Sequence, residues 1–153
     1  MDREEVRAYV NQYGRLRDVQ YAAYELYARK HGLTAKELFV LDIIWFSTDG
    51  CLQTDICERL SATKQTISAI IKKFMNKGYI SLTESKTDRR NKIIRFTSEG
   101  EAYVRDIIPP AANAEIDAMA KMPGEDIAEL VRLTTLFSQH MKEKFEKIQE
   151  VQE

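Results

Sequence analysis

The sequence predicts a mainly α-helical protein with one β-hairpin, an α+β arrangement in which short helices and the hairpin lie between long helices at either end. Three observations carry this. Apolar residues recur at three-and-four spacing near both termini, residues 52–80 hold two short helical patterns around a polar break, and two period-two segments follow at 80–84 and 93–97.

The elements follow in order. Val6, Tyr9, Val10, Tyr13, Leu16, Ala23, Tyr24 and Tyr27 line one face of a first helix that ends near His31-Gly32. Thr34 and Glu37 have capping-box spacing, in which the threonine oxygen accepts a first-turn N–H while the glutamate reaches back, and Leu38, Leu41, Ile44 and Trp45 continue a second helix. Ser47-Thr48-Asp49-Gly50 has turn composition, which places Cys51 in an exposed loop. In LQTDICERLSATKQTISAIIKKFMNKGYI, Ile56 and Leu60 mark one short helix, Ser61-Ala62-Thr63 a tight break, and Ile67, Ile70, Ile71 and Phe74 a second helix capped by Thr63. Two short helices joined so tightly suit a helix-turn-helix.

Ile80–Glu84 and Ile93–Thr97 read as strands flanking the loop SKTDRRNK, a hairpin in the position of a wing. Thr97 caps a further helix through Val104, Ile107 and Ile108, which Pro109-Pro110 must kink or break because proline lacks the N–H and its ring clashes with the preceding turn. Ile116 and Met119 resume it. After Pro123-Gly124 a last helix carries Ile127, Leu130, Val131, Phe137, Met141, Phe145 and Ile148, with Leu133, Leu136 and His140 in a second row. An apolar face that wide is expected to be covered both within its own subunit and by another.

Net charge is −1, but it is unevenly spread. Residues 61–95 hold nine basic and two acidic groups, whereas 1–60 hold eight and ten, and 96–153 hold six and twelve. A local positive field governs phosphate binding more than the whole-chain sum does. No apolar run approaches the roughly 20 residues of a membrane helix, and MDREEVRAYV has no signal-peptide layout, so a cytoplasmic protein without a membrane partner is expected. Cys51 and Cys57 are too few for a disulfide scaffold. Cys57 reads as a small buried residue, and Cys51 has no Lys, Arg or His beside it to make it reactive. His31 and His140 lie far apart and neither belongs to a metal-ligand cluster, so no metal and no resident cofactor are expected. With no Gly-rich phosphate loop, nucleophile elbow or paired histidine and carboxylate motif, no catalytic residues are assigned and an enzyme is not expected.

The chemistry sits on the second helix of the helix-turn-helix. With its isoleucines and Phe74 facing the core, Lys64, Gln65, Thr66, Ser68, Ala69 and Lys72 project outward behind the cap Thr63. Glutamine can bond adenine bidentately, lysine can reach guanine acceptors, serine and threonine bond either, and Ala69 or a threonine methyl can meet thymine's methyl. Lys72, Lys73 and Lys77 suit phosphates. In the wing, Lys86, Arg89, Arg90 and Lys92 surround Asp88, a carboxylate placed to pair with Arg90 and direct it into a minor groove.

The chain resembles the MarR (multiple-antibiotic-resistance regulator) family of winged helix-turn-helix repressors. The resemblance spans nearly the whole length, through six helices and a hairpin in matching order, the helix-turn-helix run 52–80, Asp88-Arg89-Arg90 in the wing, and Phe96-Thr97-Ser98-Glu99-Gly100 leaving it. It implies a homodimer joined through its N- and C-terminal helices, recognition helices in successive major grooves of a pseudo-palindromic double-stranded DNA operator, and Arg90 in the flanking minor groove. It also implies response to a small phenolic or lipophilic effector. Tyr9, Tyr13, Tyr24, Tyr27 and Trp45 offer aromatic material for a pocket, but tyrosines at helical spacing equally suit a core or an interface, and no effector residue is assigned. The expected organisation is a helical dimerisation region, 1–32 with 98–153, around a winged helix-turn-helix DNA-binding domain, 33–97. The alternative is a winged-helix protein-interaction module without DNA function.

Overall fold

The computed structural model describes residues 1–84 and 92–150. The elements run α1 (Arg3–Lys30), α2 (Ala35–Trp45), β1 (Cys51–Leu52), α3 (Gln53–Leu60), α4 (Lys64–Asn76), β2 (Ile80–Glu84), β3 (Lys92–Phe96), α5 (Ser98–Arg105), α6 (Ile108–Met119) and α7 (Gly124–Glu150). They divide into two compact units, Met1–Ala111 and Ala112–Glu153.

Helix starts are fixed by local side chains. Asp2 accepts from the N–H groups of Glu4 and Glu5 while Glu5 accepts from Asp2 N, a full capping box for α1. Thr34 and Glu37 form the expected box at α2, with both bonds at 3.1 Å. Thr63 and Thr97 cap α4 and α5 through the N–H groups of Thr66 and Gly100. Between α3 and α4 the chain turns through Ser61, which adopts the left-handed conformation at φ 47°.

The first unit is built around one apolar core. α2 contributes Leu38, Val40, Leu41, Ile43 and Ile44; α3 contributes Ile56; α4 contributes Ile67, Ile70, Ile71 and Phe74; Ala28, Leu33, Cys51, Ile80, Ile94, Val104, Ile107 and Ile108 complete it. Phe74, Leu41, Ile56, Ile67 and Ile94 are fully buried. Burying side chains of this size stabilises each by about 1.5–3 kcal/mol before entropy is counted. The same burial pins α4 by one face and leaves the other to solvent.

The sheet is three-stranded and antiparallel in the order β1-β3-β2. Ile80 pairs with Phe96 and Glu84 with Lys92, so the two hairpin strands are in full register. β1 departs from the expected loop: Cys51 pairs with Ile94 and Leu52 with Ile93. Gly50, at φ 80°, permits this approach, since a Cβ there would lie 2.5 Å from Ile94 O. Cys51 is therefore buried rather than exposed.

The helix after the hairpin breaks at Asp106-Ile107, two residues before Pro109-Pro110, and divides into α5 and α6. The prolines then occupy the first turn of α6, where a missing N–H costs nothing. The described part of the second unit consists of the rest of α6 and the 27-residue α7. Along α7, Leu130, Val131, Leu133, Leu136, Phe145 and Ile148 stay substantially exposed. No helix among the described residues is long and apolar enough to cross a membrane.

Candidate nucleic-acid interface

Helix α4 presents the surface its sequence pattern predicts. Lys64, Gln65, Thr66, Ser68, Ala69 and Lys72 are all exposed, and Ile67, Ile70, Ile71 and Phe74 are buried on the opposite side. The helix contains no acid, and among the described residues neither Lys64 nor Lys72 has an ion-pair partner. Thr63, besides capping the helix, shares a 2.9 Å hydrogen bond with the Thr66 hydroxyl. The result is an exposed strip that is polar and cationic apart from Ala69, on a helix whose other face is buried.

Lys73 stands apart from this strip. Its ammonium lies 2.6 Å from Glu37 Oε1, and Glu37 is buried in α2. The carboxylate's other oxygen accepts from Thr34 N, so one side chain closes the cap of α2 and fastens α4 to it. The pair fastens α4 to α2 through a lysine whose side chain is still 40% exposed.

A second tie joins α3 to α4. The Gln53 amide nitrogen donates to Lys64 O at 2.9 Å and to Ser68 Oγ at 2.7 Å. Spacing in the sequence marks Glu37 only as the capping partner of Thr34; its tie to Lys73 and the ties of Gln53 to α4 span 11 to 36 residues and carry no such mark.

At the hairpin, Lys92 is exposed at the start of β3. Arg95, a cation of the basic block not assigned to the wing set, donates to Thr83 Oγ1 at 2.7 Å across the strands. Lys86, Asp88, Arg89 and Arg90 lie outside the described residues. A groove of about 330 Å³ beside the hairpin base is lined by Ile44, Trp45, Ser47, Thr48, Arg95 and Phe96.

Cys51 and Cys57 are both free thiols. Burial pushes the Cys51 thiol above its ordinary pKa and the nearby Asp55 adds to this, against a smaller opposing hydrogen bond from Ser47. Cys57 is half-buried in α3 rather than enclosed. Among the described residues no three His, Cys, Asp or Glu side chains are grouped to hold a metal.

Residues 31–91 match the MarR family. The HTH-type transcriptional regulator MhqR of Bacillus subtilis (strain 168) is 32% identical over 101 residues, covering 66% of this chain and 68% of MhqR. The chain belongs to the MarR family. The solved MarR family regulator NMB1585 from Neisseria meningitidis superposes with a TM-score of 0.76 at 20% identity, over 90% of this chain and 96% of the other. The S. aureus MepR–DNA complex gives 0.67 at 21% identity, over 83% and 97%. This MarR-family chain is thus a DNA-binding transcription regulator with the winged-helix fold. At the Ser98-Glu99-Gly100 exit from the hairpin a Cβ at Gly100 would lie 1.9 Å from Tyr79 O, so only glycine lets α5 start against the residue that precedes β2.

Proposed function

We propose that the chain is a ligand-responsive repressor that binds a pseudo-palindromic operator as a homodimer. The observation that carries the DNA contact is the acid-free, exposed strip Lys64, Gln65, Thr66, Ser68, Ala69 and Lys72 on a helix whose other face is locked into the core. Residues 33–97 form the DNA-binding domain in this reading, with Lys72 and Lys92 on phosphates and Arg90, directed by Asp88, in the minor groove beside Lys86 and Arg89. MepR, which shares the fold and is known in complex with DNA, supports this placement.

The homodimer is supported by apolar side chains left at the surface of the terminal helices. Tyr9, Val10, Leu16, Val19 and Leu26 of α1 are each about half exposed or more, and the α7 row behaves likewise. A second copy covering residues 1–32 and 98–153 would bury both rows and set two α4 helices about 34–36 Å apart, one turn of duplex. The small phenolic or lipophilic effector rests on the family resemblance.

Sedimentation of the purified protein together with gel shifts of wild type and Arg90→Glu on its own upstream region tests this. A dimer whose DNA affinity falls at least ten-fold on charge reversal is expected. A monomer whose duplex binding is indifferent to Arg90 would contradict it and favour the protein-interaction module.

A further inference from the structure

The tie between Gln53 and α4 constrains how the recognition helix reads a base. Lys64 O can only accept, so the Gln53 atom 2.9 Å from it must be the amide nitrogen. That nitrogen has no lone pair to offer, so at 2.7 Å it donates to Ser68 Oγ. Ser68 therefore accepts with one lone pair, and its own O–H is directed elsewhere. The usual inward target for a helical serine hydroxyl is the carbonyl four residues back, here Lys64 O. That oxygen already takes the Ser68 N–H of the helical ladder and the Gln53 amide, which fills both its lone pairs. Ser47 and Thr135, whose carbonyls four residues back take no other side-chain donor among the described residues, do donate there, at 2.6 and 2.8 Å.

We propose that Gln53 is a positioning residue for base readout, which holds the exposed Ser68 hydroxyl as a hydrogen-bond donor toward an acceptor on a base edge in the major groove. A hydroxyl that accepts a bond becomes a stronger donor, and the matching edges are purine N7, guanine O6 or thymine O4 rather than an amino group. The inference rests on the reading of α4 as the recognition helix.

The test is selection of binding sites from a random duplex pool by the full-length protein and by Gln53→Met, Gln53→Lys, Ser68→Ala and Gln53→Met/Ser68→Ala, each first checked for folding by a thermal melt followed at Trp45. Wild type should select an acceptor at one base pair of each half-site. Gln53→Met and Ser68→Ala should lose discrimination at that same base pair, by about five-fold, and the double variant should lose no more than Ser68→Ala. Gln53→Lys, which still carries donors for both partners, should keep the preference. An unchanged motif in Gln53→Met, a uniform loss over all duplexes, a loss at a different base pair that adds to that of Ser68→Ala, or identical behaviour of the Met and Lys variants would overturn the proposal. A wild type that selects no motif would instead overturn the reading of α4 itself.

Discussion

Replacing Glu37 by alanine removes two contacts at once, the bond from Thr34 N at 3.1 Å and the ion pair with Lys73 at 2.6 Å. Loss of half a capping box costs about 0.5 kcal/mol. A charged hydrogen bond is worth about 1.5–3 kcal/mol, but the Lys73 side chain is 40% exposed against 10% for Glu37, and solvent screening lowers the pair to about 1–1.5 kcal/mol. Glu37→Ala should therefore destabilise by about 2 kcal/mol, which for a chain of this size lowers Tm by about 4–8 °C. Lys73→Met leaves a buried carboxylate unpaired and should cost about 1–2 kcal/mol. Urea unfolding followed at Trp45, at one protein concentration, gives the coupling from Glu37→Ala, Lys73→Met and the double variant, expected at about 1 kcal/mol. On DNA the two neighbouring lysines should separate: Lys72→Met lowers the salt slope by about one, whereas Lys73→Met leaves it almost unchanged. Coupling below about 0.3 kcal/mol, or equal slope losses for both lysines, would refute the assignment of Lys73 to Glu37.

Gly100→Ala should cost about 3 kcal/mol or prevent soluble expression, because the methyl cannot fit 1.9 Å from Tyr79 O; denaturant midpoints check it. Tyr27→Phe should cost about 1 kcal/mol, since its hydroxyl donates to Ile107 O at 2.8 Å and the carbonyl would be left half-buried without that partner. Cys51 should alkylate at least ten-fold more slowly than Cys57 at pH 8, and at the same rate in urea, as mass spectrometry of the peptides would show. Because folding raises the Cys51 pKa, the folded state holds that proton more tightly; its contribution to stability is complete below the ordinary thiol pKa and is lost as pH rises through the raised value, so urea midpoints should fall on the alkaline side.

What was legible in the sequence was local. Capping by Thr34, Thr63 and Thr97 needs partners three residues away, and the buried face of α4 follows from spacing alone, so both emerge from the chain without tertiary information. The strand at Cys51-Leu52 did not, because two residues carry no periodicity and their partners Ile93 and Ile94 lie some forty positions on. That pairing is also what turned an expected exposed cysteine into a buried one. The prolines signalled a break correctly, yet it fell at Asp106-Ile107, where Pro109 and Pro110 gain the helix start instead of interrupting a helix. On α4, composition identified which lysines are present but could not distinguish Lys72 from Lys73, since only Glu37, folded against it from α2, gives the second an ion-pair partner. Gln53 likewise becomes visible only once α3 and α4 are packed.

Specific binding of duplex DNA through α4 and the hairpin is open to an anisotropy titration against the chain's own upstream duplex, at about 50 and about 200 mM salt with a scrambled duplex as competitor. Saturation at one dimer per site, preference over the scrambled duplex, and a loss of about 10³ or more in affinity between the two salt concentrations are expected; equal, salt-insensitive binding to both duplexes, or none, would rule such binding out.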